Sequence, residues 1–93
     1  MSLLLKDPFA LLDYAVDWGE LYLDNDLLAA SSWSVKPVEA AGLEVVSDGF
    51  DPRIATVKVS GGAPGKVYQL TNHAIFASGR EDRRTIQVRV ETR

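Results

Sequence analysis

The chain has 93 residues, 46% hydrophobic and 25% charged, which suits one domain with a single core and excludes disorder along its whole length. It contains no cysteine, which excludes a disulfide framework and thiolate metal sites and leaves the redox compartment open. The net charge is -3, no apolar run approaches the roughly 20 residues of a membrane-spanning helix, and no basic segment precedes an apolar one as in a secretory signal.

Residues 1–10 read as an arm leading into a single domain, 11–93. In the arm the triplet Leu3-Leu4-Leu5 precedes Asp7-Pro8, where proline removes a donor and holds Asp7 extended. Tyr14, Val16 and Trp18 then alternate with Asp13, Ala15 and Asp17, as in a half-buried strand. A helix capped by Asp7 and started by Pro8, with Phe9, Leu12 and Val16 on one face, is the competing reading. Residues 19–23 suit a short helical turn, and Asp24-Asn25-Asp26 a turn whose side chains bond the backbone ahead. The next strand spans 27–35, with Leu27, Ala29, Ser31, Trp33 and Val35 on one face and Pro37 beyond its end. Trp33 is the expected centre of the core.

Residues 43–47 form a short strand, and 48–52 carry turn chemistry around Gly49. Residues 54–60 and 66–77 are strands on either side of Gly61-Gly62-Ala63-Pro64-Gly65. After a hairpin loop at 78–82 the last strand, 84–92, turns Ile86, Val88 and Val90 inward. Six or seven short strands without a long helix predict an all-β fold, an antiparallel β-sandwich.

The residues offer little chemistry. Gly61, Gly62 and Gly65 could suggest a phosphate loop, but that motif ends in Gly-Lys-Ser/Thr and opens a helix, whereas Gly65-Lys66 opens a strand. Tyr68, just after this loop, resembles the tyrosine corner of immunoglobulin-like sandwiches, whose hydroxyl bonds nearby backbone. His73 is the sole histidine and has no companion ligands for zinc; Asp24 and Asp26 lack the remaining calcium pattern. Ser31, Ser32 and Ser34 have no nucleophile elbow. The expectation is therefore no catalytic, metal or cofactor site. Charge is unevenly placed: residues 1–46 carry only Lys6 and Lys36 as bases, while Arg80, Arg83 and Arg84 crowd the final hairpin. With a pI near 5.0 this division favours an ordinary solvated surface or a dipolar subunit that docks on copies of itself or on a partner, over a nucleic-acid face.

Lys6-Asp7-Pro8, Leu12-Asp13-Tyr14, Asp17-Trp18, Ala30-Ser31-Ser32-Trp33-Ser34-Val35, Ala55-Thr56-Val57, Ser60-Gly61-Gly62, Gly65, Tyr68, Thr71-Asn72, Gly79-Arg80, Asp82, Arg84 and 88–90 occur in an order that covers nearly the whole chain. This pattern resembles small phage and prophage proteins described as fiber-tail adaptors. The resemblance implies an immunoglobulin-like sandwich among virion structural proteins. It also implies a non-enzymatic role joining tail and fiber parts, in the virion or in the bacterial cytoplasm during assembly. Partners would be other tail or fiber proteins or further copies of the chain, with no nucleic acid and no membrane span. Candidate interface residues are Leu3, Leu4, Leu5 and Phe9 of the arm and Arg80, Arg83 and Arg84 of the hairpin. Trp18, Trp33, Gly61, Gly62, Gly65 and Tyr68 are the candidate structural residues. The alternative is a carbohydrate-binding or adhesin-type module that stacks sugars on an exposed Trp18 or Tyr22.

Overall fold

A computed structural model describes residues 3–18, 26–38 and 42–91, arranged as seven strands in two facing sheets. The strands are β1 (Leu3–Lys6), β2 (Leu12–Asp17), β3 (Leu28–Lys36), β4 (Leu43–Phe50), β5 (Ile54–Gly61), β6 (Val67–Phe76) and β7 (Glu81–Val90). One sheet has the order β1-β7-β6-β3 and the other β2-β5-β4. The triplets β2-β5-β4 and β3-β6-β7 reproduce the B-E-D and C-F-G neighbours of an immunoglobulin sandwich, with β1 added outside β7. The turn expected at 19–23, Tyr22, Asp24 and Asn25 lie outside the described residues.

Two-residue periodicity places the core. Ala55, Val57 and Val59 of β5, then Tyr68, Leu70, Ala74 and Phe76 of β6, then Ile86, Val88 and Val90 of β7 all turn inward. Each is separated from the next by one outward residue or, between Leu70 and Ala74, by the buried Asn72. The β2 residues Tyr14 and Val16 follow the same parity, and Trp18 continues it just beyond the strand.

Four expectations change. Residues Leu3–Lys6, expected within an arm, form an edge strand parallel to β7, with Leu3 opposite Gln87 and Lys6 opposite Val90. The pairing is invisible to local pattern because its partner lies at the other end of the chain. In β3 the expected inward face holds for Ser31, Trp33 and Val35 but fails at Leu27 and Ala29, which are exposed. An irregularity between Leu28 and Ala30 reverses the parity there. Strand β4 runs on through the expected turn to Phe50, and the chain reverses at Asp51 instead, whose Oδ1 accepts from the Arg53 and Ile54 amides at 2.8 Å each. Finally, the centre of the core is Trp18, 1% exposed, while Trp33 packs on its margin.

Trp18 joins the two sheets. Its indole Nε1 donates to Asn72 Oδ1 at 2.8 Å, and Asn72 Nδ2 donates to Ser31 Oγ at 2.8 Å and to the Ser32 carbonyl at 3.1 Å. The ring meets Phe76 edge-on, with centroids 5.6 Å apart. Antibody domains tie the corresponding B and F strands with a disulfide; in this cysteine-free chain a buried hydrogen bond connects β6 to the end of β2. At the β5–β6 corner the fully buried Tyr68 accepts a hydrogen bond on its hydroxyl from the Ala63 amide at 2.9 Å.

Candidate docking surfaces

Three exposed surfaces stand on this scaffold. The first is the turn after β1. Asp7 Oδ1 accepts from the Phe9 amide at 2.8 Å, and the Asp7 carbonyl accepts from Ala10 at 3.1 Å. This side-chain turn holds Phe9 outward, 94% exposed. Pro8 and Phe9 help line a mainly apolar trough of about 600 Å³, together with Gly42, Gly61, Gly62, Ala63, Pro64 and the carboxylate-bearing Glu44. Lys6 braces it from beneath: the side chain is fully buried, and its ammonium donates to the Asp7 carbonyl at 2.9 Å and the Gly61 carbonyl at 2.8 Å. Burial pulls this amine below its ordinary pKa, while the neighbouring Asp7 charge acts in the opposite direction.

The second is the outer face of the four-stranded sheet. Cross-strand rows place Ser32 beside His73 and Arg83, Ser34 beside Thr71 and Thr85, and Lys36 beside Gln69 and Gln87. The Thr71 and Thr85 hydroxyls are 2.9 Å apart, and His73 Nε2 lies 2.8 Å from Glu81 Oε1. The third is the outer face of β2-β5-β4, where Asp13, Asp48 and Lys58 border a shallow trough of about 450 Å³ over Ala15, Thr56 and Gly49. Among the described residues no group of three His, Asp or Glu could hold a metal ion, and no helix is long and apolar enough to cross a membrane.

The family described as podophage GP4 fiber-tail adaptor protein gp77 matches residues 6–89. The chain belongs to this family. No curated protein matches it. As a member of a phage structural family it carries an adaptor fold whose matched region starts at the buried Lys6 and takes in every strand from β2 to β6 entirely.

Within this adaptor the residues singled out in the sequence separate by role. Leu5 is half-exposed on β1 and Phe9 stands on the turn, while Arg83 and Arg84 are exposed on β7. Arg80 is used internally: Nη2 lies 3.1 Å from Asp26 Oδ2, and the guanidinium carbon sits 6.0 Å from the Phe76 ring centroid. Trp18 is sealed in the core, so it offers no stacking platform for a sugar. Sequence reasoning missed Lys6, Asn72 and the reach of Asp26. Asn72 was detectable, as a polar residue on the inward parity of β6; the partners of Asp26 lie 52 and 54 positions away and leave no local mark.

Asp26 organises the far end of the molecule. Its Oδ2 accepts from the Ser78 hydroxyl at 2.7 Å, and Oδ1 accepts from the Leu27 amide at 3.0 Å and the Ser78 amide at 3.2 Å. The Ser78 hydroxyl is foremost in holding this carboxyl below its ordinary value, with Arg80 and the two amides adding to it and burial opposing. A depressed carboxylate stabilises the fold above its unfolded pKa, about 3.9, and loses that contribution as pH falls through the folded value. Urea midpoints of the wild type and Asp26→Asn are therefore expected to differ most at neutral pH and to converge in acid below about pH 4. A gap that persists unchanged on acidification would show that the Asp26 charge is not the stabilising element.

Proposed function

We propose that this adaptor works without catalysis, in the virion, joining tail and fiber components by protein–protein contact with the Phe9 turn as one docking point. The observation that carries this reading is Phe9 itself: an aromatic ring 94% exposed on a hydrogen-bonded turn beside an apolar trough, in a member of a fiber-tail adaptor family. A backbone turn already held by hydrogen bonds loses little freedom on binding, and aromatic anchors dominate interface energetics. The occupant is an apolar ridge on a tail or fiber protein. Exposed Arg83 and Arg84 provide polar contacts elsewhere on the surface.

The test is complementation of a phage that lacks this gene. Phe9→Ala leaves the core untouched, so its thermal midpoint should match wild type, while the anchor contributes about 2 kcal/mol to docking, roughly 30-fold in affinity. Particles assembled with the variant should carry few fibers by negative-stain electron microscopy. Fully fibered particles would move the docking point away from this turn.

A further inference from the structure

We propose that the trough beside Phe9 takes an extended apolar segment of a tail or fiber protein that carries a lysine or arginine, and that Glu44 selects that charge. This rests on the reading of the Phe9 turn as a docking point and specifies what docks there.

Glu44 stands near the start of β4, opposite Ser60 in the ladder with β5, and is exposed. Among the residues that line the trough it alone bears a charge. Its carboxylate makes no hydrogen bond or ion pair among the described residues. Lys6, beneath the trough, does not serve it, because that ammonium is turned to the Asp7 and Gly61 carbonyls at 2.9 and 2.8 Å. An apolar surface laid along the trough takes water from the Glu44 carboxylate, and a carboxylate that loses water without gaining a partner opposes the contact. A wholly apolar segment is therefore rejected at this point. One that brings a lysine or arginine gains a charge-assisted hydrogen bond there and lays its aliphatic stem along the apolar lining. The discrimination comes from what the carboxylate excludes as much as from what it attracts.

The shape fits a segment of chain. Gly42, Gly61 and Gly62 bring no side chains to the trough, and a Cβ built on Gly61 would stand 2.7 Å from the Gly42 carbonyl oxygen. The occupant can thus approach the main chain closely. Pro8, Phe9 and Pro64 supply rigid rings beside this floor, the kind of surface on which extended, proline-rich or aliphatic segments pack. A volume of about 600 Å³ suits a short segment. Phe9 anchors the segment and Glu44 sets its charge.

Complementation of a phage that lacks this gene, read by fiber counts in negative-stain electron microscopy, tests the proposal with the whole chain. Glu44→Lys sets like charges against each other and should lower docking affinity by at least about 30-fold, leaving few fibers. Glu44→Gln should leave an intermediate number. The position is exposed, so both variants should melt as the wild type does; if Glu44→Lys does not, Glu44→Gln decides, since it keeps the shape and removes only the charge. In the Glu44→Lys background, each Lys and Arg of the tail and fiber proteins is then exchanged in turn for Glu. One such exchange should restore the fibers, and the same exchange should strip them from particles with wild-type Glu44. Normal counts with both Glu44 variants, alongside fiber loss with Phe9→Ala, would overturn the charge selection and leave the Phe9 docking point standing. Normal counts with Phe9→Ala would remove the docking point itself. The proposal also falls if no exchange restores the fibers, or if only an exchange within this chain does so, which would make the occupant a second copy.

Discussion

Trp18→Ala is expected to destabilise the domain by about 3–5 kcal/mol, a large part of the 5–15 kcal/mol that holds most domains folded. The side chain is 1% exposed and reaches across the sandwich from the end of β2 to Phe76 and Asn72 of β6. Its removal leaves a cavity between two sheets whose strands cannot close over it. It also strands Asn72 Oδ1, which is fully buried and accepts the indole hydrogen bond. Trp18→Phe separates the two effects, because it keeps most of the apolar volume and abandons only the hydrogen bond, an expected loss of about 1–3 kcal/mol. Trp33→Ala should cost less than Trp18→Ala, since Trp33 lies half-buried on the edge strand β3 and its Nε1 has no hydrogen-bond partner among the described residues. Urea unfolding of the three variants checks the ranking; equal losses at Trp18 and Trp33 would mean that the core has two centres.

Gly62→Ala carries the second large effect, about 2–5 kcal/mol from backbone strain and overpacking together. At φ +105° only glycine is unstrained. A Cβ built there stands 2.5 Å from Val90 Cγ2 and 3.3 Å from Cγ1. Val90 is fully buried at the end of β7, opposite Lys6 of β1, so it has no room to retreat. Gly65 supplies the control: its φ of +84° is similar, but nothing lies within 4 Å of its added Cβ. Gly65→Ala should therefore show the backbone penalty alone, about 1–3 kcal/mol. If thermal melts find the two substitutions equally damaging, the contact with Val90 is not what selects glycine at 62.

These two predictions also mark how far local pattern reaches. The alternation of Ala55, Val57 and Val59 with Thr56 and Lys58 specifies a strand and its buried face, because side chains on a pleated chain repeat every two residues. The same alternation runs through β6 and β7, and with the glycine-rich break before Tyr68 it makes an immunoglobulin-like sandwich the natural reading. Periodicity failed where the ladder itself is irregular. The shift between Leu28 and Ala30 puts Leu27 outside, and the continuation of β4 through Asp48 and Gly49 rests on pairing with Val57 and Thr56 rather than on strand propensity. For the docking surfaces, the exposed arginines and the uneven charge were visible, but their use was not: Arg80 spends its charge on Asp26, while Arg83 keeps its own for the surface.

The order of polar and apolar residues alone determined the strand content, the inward faces of β5, β6 and β7, the absence of cysteine bridges and the unequal charge of the two halves. Those properties depend on neighbours one to four positions away, and the backbone imposes them wherever the segment lies. Only the tertiary structure decided that Leu3–Lys6 closes the sheet against β7, that Trp18 rather than Trp33 fills the centre, and that Lys6 braces the turn carrying Phe9. It also decided that the charges of Lys36 and Arg83 lie on the face opposite Asp13 and Asp17. Each of these joins residues far apart in the chain, and such contacts arise from the packing of two sheets, whose geometry no short window of residues contains.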